Sequence, residues 1–239
     1  MRTIGGGVKT DGRKRRWHQH KVERRTELVD GALDAIRRLG SDTSRDVSMD
    51  EIAAEIGVSK TVLYRYFVDK NDLTTAVMMR FTQTTLIPNM AAALSSNLDG
   101  FDLTREVIRV YVETVASEPE PYRFVMANSS ASRNKVIANS EQIIARMLAV
   151  LLRRRMQVAG MDTSGVEPWA FLIVGGVQQA THSWMSNPRM SSDELIDYLT
   201  MLCWSALCGI VEVGGSLARF RSEPHPPPVL PALRPATTP

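Results

Sequence analysis

Apolar positions recur along this chain at the three-to-four-residue spacing of helices almost from end to end, with glycine and proline between the runs. Leu28, Val29, Ala32, Ala35, Ile36 and Leu39 share one face of a helix predicted over Val22–Leu39, which Gly40 stops. Ser48–Ile56 reads as a second, short helix. There Ser48-Met49-Asp50-Glu51 fits the S-x-x-E box, whose two end side chains satisfy free N–H groups of the first turn. Gly57 ends it, Ser59–Phe67 makes a third helix, and Asp69 caps a fourth that begins near Lys70 and runs towards Thr85. Beyond Pro88, helices are expected at roughly 89–98, 103–117, 121–128, 134–159, 166–186 and 192–215. No hairpin signal or alternating strand run interrupts them, so the expected fold class is all-α.

Two late helices differ from the others. Pro168–Pro188 contains no Lys, Arg, Asp or Glu, and Tyr198–Val211 is likewise uncharged. A helix that is apolar nearly all round is buried on more than one side. A membrane span would have to hold Gln178, Gln179, His182 and Asn187 in lipid, and no basic flank marks an inside face. Burial against a second copy is therefore expected: a homodimer through helices near 166–186 and 192–215, with no membrane partner.

Composition alone allows any soluble globular chain of one or two domains, with 239 residues, 44% of them hydrophobic, and a net charge of +3. The distribution of charge says more. Residues 1–25 hold nine Lys/Arg against Asp11 and Glu23, a local +7, which leaves −4 for the remainder. A basic arm before a mildly acidic body points to an anionic polymer or surface met from one end. Seven of the twelve prolines lie from Pro224 onwards, which predicts an extended tail. The expected organisation is a flexible basic arm (1–22), a three-helix unit (23–69), a larger helical unit (70–221) and a Pro-rich tail (222–239). Two cysteines are too few for a disulfide scaffold, and the first residues lack the apolar core of a signal peptide, so a cytoplasmic location is expected.

Helix, Gly-containing turn and second helix over Ser48–Phe67 is the order of a helix-turn-helix reader of DNA. At about 100° per residue, Leu63 and Phe67 meet Ile52, Ala53 and Ile56, and small Ala53 lets the helices cross closely. Thr61 and Arg65 then lie on the outer face with Val62 beside them, and Tyr64 and Tyr66 flank it. Such a helix offers its outer face to base edges in a major groove and its tyrosines to the phosphate walls.

At these residues the chain resembles the TetR family of bacterial transcriptional regulators. The resemblance covers about 24–80, and its most specific parts are Asp50–Lys60, Leu63–Phe67 and Lys70–Leu73. It implies a homodimer that binds palindromic double-stranded operator DNA through its N-terminal domain, most often as a repressor, while a C-terminal helical domain takes a small effector and makes the dimer. Carried over by position, the DNA contacts fall on Ser48, Ser59, Lys60, Thr61, Tyr64, Tyr66 and Lys70. Thr61 stands where the family most often has Gly or Pro. Val62 replaces a usual hydroxyl residue, and its methyls can meet a thymine methyl. Arg13, Lys14, Arg15 and Arg16 are expected to enter a minor groove, where narrow width concentrates negative potential.

Catalysis has little to stand on. His18, His20, His182 and His225 have no acidic or nucleophilic partner at informative spacing. Cys203 and Cys208 fall on different helix faces and read as buried apolar thiols, so neither a metal nor a cofactor is expected. Arg153-Arg154-Arg155 reads as favourable placement at a helix C-terminus. Candidates to line an effector cavity are Tyr111, Tyr122, Phe124, Met126, Met147, Trp169, Trp184 and Trp204, with Asn128, Gln178 and His182 as polar anchors. That lining suits an apolar or amphiphilic ligand, and its aromatics also suit a nucleotide. The competing functions are a ligand-independent architectural DNA-binding protein and, more remotely, a helical enzyme.

Overall fold

The computed structural model describes residues 9–42, 47–121, 124 and 130–225, and every regular element among them is helical. The elements are α1 (Lys9–Asp42), α2 (Met49–Glu55), α3 (Lys60–Tyr66), α4 (Lys70–Phe81), α5 (Ile87–Leu94), α6 (Gly100–Ala116), α7 (Ser130–Val158), α8 (Val166–Ser186), α9 (Ser192–Glu212) and α10 (Leu217–Ser222).

Local sequence starts and stops these helices as expected. Ser48 accepts from Glu51 N–H while the Glu51 carboxylate accepts from Ser48 N–H, closing the reciprocal box at the head of α2. Gly57 takes φ +70° in the turn to α3, a left-handed conformation that glycine adopts without steric cost. Asp69 accepts from Asp72 N–H at 2.8 Å to cap α4, and Ser191 with Glu194 repeats the reciprocal box at α9.

α4 and α5 are one helical path broken by a π turn over Thr82–Leu86. Pro88 explains it: it has no N–H for the Thr84 carbonyl, and its ring would crowd that oxygen. The wider turn moves the backbone aside, and Ile87 N–H bonds to the Thr82 carbonyl instead.

One apolar core runs through both units. Ala32, Ile36, Ile52, Leu63, Phe67, Leu73 and Val77 are fully or almost fully buried, and the same cluster continues to Val112, Ile196 and Cys203. α4 packs on α1 and α7, α7 on α8, and α6 on α5 and α9. Arg37 on α1 donates two 2.8 Å hydrogen bonds to Glu118 just after α6, so the reader is clamped to the body.

Three expectations are corrected here. α1 begins at Lys9 rather than Val22, so residues 9–22 continue the first helix. A run of Lys and Arg lacks the apolar period that marks a helix, which hid this extension from the pattern. Residues 222–225 end α10 and follow it against the body, while 226–239 lie outside the described residues. Cys203 is buried, and burial pushes its thiol pKa up, but Cys208 is exposed on the outer side of α9.

Candidate nucleic-acid interface and effector cavity

α3 is held by its inner face and free on its outer one. Leu63 and Phe67 have no exposure and pack in the core with Ile52 and Ala53. Lys60, Thr61, Tyr64 and Arg65 are exposed, and Tyr64 shows 47% of its surface. Val62 and Tyr66, four residues apart and so on one flank, are instead half-buried against the core. Both therefore flank the outer face on the side that packs against the core.

The polar groups differ in how free they are. Arg65 makes no ion pair among the described residues. The Lys60 ammonium sits 2.9 Å from the Asp50 carboxylate and 5.9 Å from the Tyr64 ring centroid, and the hydrogen bond to Asp50 raises its pKa. This exposed pair costs little to break when phosphate arrives. Ser59 accepts from Val62 N–H as the cap of α3. The Ser48 hydroxyl donates to Glu51 at 2.7 Å, so a phosphate at the head of α2 must compete with that carboxylate.

Lys70 is half-buried and its ammonium lies 5.3 Å from the Phe124 ring centroid. Phe124, expected in the effector lining, is buried and serves this cation–π contact instead. Arg15 and Arg16 lie on the exposed part of α1, and Arg13 and Lys14 on its preceding turn. A helix about 10–12 Å across is wider than a minor groove of about 6 Å, so a contact there would be made by side chains alone.

The effector candidates fall into separate places. Tyr111, Gln178 and His182 do converge, together with Phe81, Leu86 and Glu118, but around a space of only about 20 Å³. Trp169 belongs elsewhere, to a cavity of about 340 Å³ between α6, α7, α8 and α9. Leu103, Val107, Leu148, Leu152 and Trp204 supply much of its wall, and Arg155, the sole charged group there, also donates to the Leu98 carbonyl at 3.2 Å. Trp169 rests on Gly165, where a Cβ would stand 2.3 Å from its ring, and separates this cavity from an open groove of about 830 Å³ beside α10. Trp184 instead bonds to the Met190 carbonyl, and Met147 is half-buried away from both cavities. Tyr122, Met126 and Asn128 lie outside the described residues. The aliphatic walls were missed because Leu and Val at helical spacing read as plain core.

An all-helical chain whose exposed α3 follows a capped α2 through a glycine turn is a helix-turn-helix transcriptional regulator, a DNA-binding class without enzymatic activity. Two family models divide it: "Bacterial regulatory proteins, tetR family" over residues 32–77 and "Tetracyclin repressor-like, C-terminal domain" over residues 89–217. The chain belongs to the TetR family. It is 83% identical, over 94% of each chain, to an HTH-type transcriptional regulator of Mycobacterium tuberculosis. It is 23% identical to the HTH-type transcriptional activator FasR of Mycolicibacterium smegmatis, over 77% of this chain and 83% of that one. A TetR-family regulator from Streptomyces coelicolor shares the fold, with a TM-score of 0.57, 21% identity and coverage of 82% and 89%.

Proposed function

We propose that this chain is a cytoplasmic, dimeric repressor that holds a palindromic operator and releases it when an apolar or amphiphilic small molecule fills the cavity of about 340 Å³. The observation that carries the reading is the outward face of α3, where Thr61, Tyr64 and Arg65 stand exposed over a rigidly packed inner face. Arg65 reaches base edges, Ser59 and Lys60 meet phosphate, and Tyr64 lies along a groove wall.

Dimerisation is supported by apolar surface that the single chain leaves uncovered. Leu172 on α8 and Tyr198, Met201 and Leu202 on α9 are each at least 60% exposed, and Gly176 and Gly209 have nothing near a would-be Cβ. α9 is long and apolar enough to cross a membrane, and 28% of its most apolar window is buried. Its other face packs on α6 through Leu195, Ile196, Leu199 and Cys203, so a second copy need cover only the outer stripe. Two such chains present two α3 helices at half-sites about 34 Å or more apart.

The cavity lies at the small end of ligand sites and suits a hydrocarbon portion, with Arg155 placed to meet an anionic end. Trp169 and Trp204 also line it, and their rings suit stacking on a flat heterocycle. Release requires that the ligand bind more tightly to the DNA-free arrangement, because equal affinity for both shifts nothing. α4 is the lever, as it joins α3 to the body.

A second reading, an activator, is favoured by the naming of FasR as one. A reporter behind the selected operator distinguishes them: deletion of the regulator raises expression for a repressor and lowers it for an activator. Native mass spectrometry of the purified chain tests the effector. A bound small molecule is expected, and Leu148→Trp, which fills the cavity, should exclude it while operator binding persists. A chain that binds DNA but neither carries nor responds to any apolar ligand would be a ligand-independent DNA-binding protein.

A further inference from the structure

Residues 15–23 are all exposed, and firm packing begins only at Leu28. Lys9–Glu23 therefore projects as a helix roughly 22 Å long. Its register gathers basic residues into two stripes, one of Lys9, Arg13, Arg16 and Arg24, the other of Lys14, Lys21 and Arg25. Like charges four residues apart repel, so a free helix of this kind gains from a polyanion laid against it. Trp17 is 70% exposed among them, with the Lys21 ammonium 5.8 Å from its ring centroid.

The direction of the projection follows from contacts along α1. Near its C-terminal end, Arg37 is bound to Glu118 in the body. Further towards the N-terminus, Arg25 bonds to Asp72 on α4 at 2.9 Å and its guanidinium lies 4.7 Å from the Phe67 ring centroid, at the end of α3. The axis thus runs from the body to the junction of α3 and α4, and residues 9–24 continue past that junction on the side of the reader.

We propose that residues 9–24 form a rigid basic outrigger that lies along the phosphates of the duplex outside the half-site read by α3. The proposal rests on the operator-binding reading and adds a second, sequence-independent DNA contact with its own footprint. Its partner is duplex backbone: residues 9–24 hold seven Lys/Arg against Asp11 and Glu23, a dense net positive charge along one helix.

The test uses the full chain and an operator duplex selected from a random pool, with and without about 10 flanking base pairs on each side. The flanked duplex should bind more tightly and with a steeper fall of log K against log salt. Replacing Arg13, Lys14, Arg15 and Arg16 together by Gln, a good helix former, should reduce that slope by about 3 to 4 on the flanked duplex and leave the bare operator unchanged. Gln19→Pro keeps every charge but breaks the helix by crowding the Arg15 carbonyl, and it should lose the same flank-dependent gain.

An unchanged slope in the four-Gln variant overturns the contact while the operator reading stands. A Gln19→Pro chain that keeps the wild-type gain overturns the rigid helix in favour of a flexible arm. Wild-type protein that selects no duplex at all overturns the operator reading itself. Binding of the extension to phosphatidylglycerol vesicles, with no flank effect on DNA, assigns the helix to a membrane surface instead.

Discussion

The outward faces of α3 and α9 are both bare in the single chain, yet they are bare in opposite ways. α3 shows Lys60, Thr61, Tyr64 and Arg65, groups that water solvates well and that can exchange water for phosphate or base edges. α9 shows Tyr198, Met201, Leu202, Ala206 and Gly209, a stripe that gains nothing from water. A polar face can wait exposed for an intermittent partner. An apolar face this continuous calls for a partner that stays, and the second copy is always at hand. Under the proposed function the polar face waits for DNA and the apolar face for a second copy.

The harshest way to break the comparison is to make α9 resemble α3. Leu202→Glu puts a charge in the middle of the apolar stripe, and the expected product is a folded monomer. Losing the second reader should weaken operator binding by at least about a hundredfold, because linked half-site binding is worth that much. Analytical ultracentrifugation and a gel shift on one sample check both parts. A Leu202→Glu dimer with wild-type affinity would place the seam elsewhere.

On α3 the corresponding change is milder. Arg65→Ala removes one exposed guanidinium without touching the packed face, so the melting temperature should hold while operator affinity falls by about 1–3 kcal/mol. The loss should concentrate at one base position in each half-site, read by a scan of operator variants. A uniform loss across all sequences would make Arg65 a phosphate contact.

These two faces were unequally legible in the sequence. The reader is built from neighbours in the chain: the Ser48–Glu51 box, the Gly57 turn and the Leu63–Phe67 spacing each act within a few residues. How far Val62 and Tyr66 are covered was not legible, since a 100° step does not say how much of a helix flank the core claims. The cavity depends on gaps between α6, α7, α8 and α9, distant in sequence, and Leu103 or Leu152 carries the same pattern whether it meets a neighbour or a void. The uncharged runs at Pro168–Pro188 and Tyr198–Val211 raise the expectation of a second copy, and the single chain leaves Leu172, Tyr198, Met201 and Leu202 exposed on them.

The clamp between the two regions should matter less to stability than to geometry. Arg37 and Glu118 form a bidentate, part-buried pair, and the hydrogen bond to Glu118 raises the Arg37 pKa. Glu118→Gln weakens the charge-assisted bonds and should cost about 1 kcal/mol, seen as a shift of a few degrees in melting temperature. Glu118 also borders the small space beside Gln178 and His182, so the variant should change the ligand concentration needed for DNA release. An unchanged release curve would leave α4 as the whole of the coupling.

The smallest effect lies at the head of α9, where the Glu194 carboxylate accepts from Ser191 N–H at 2.8 Å and from its hydroxyl at 3.0 Å. The backbone bond, then the hydroxyl, lowers the Glu194 pKa below the usual glutamate value. A depressed folded-state pKa contributes stability that is present above the unfolded value and lost as pH falls through the folded one. Glu194→Gln keeps the length but not the charge of this cap, so it should lose that contribution at neutral pH and converge with the wild type as pH falls, which flattens part of the acid limb of the stability curve. Urea melts of both proteins between neutral and acidic pH measure the difference. Parallel acid limbs would show that the box at α9, unlike the outer stripe of the same helix, contributes nothing that depends on its charge.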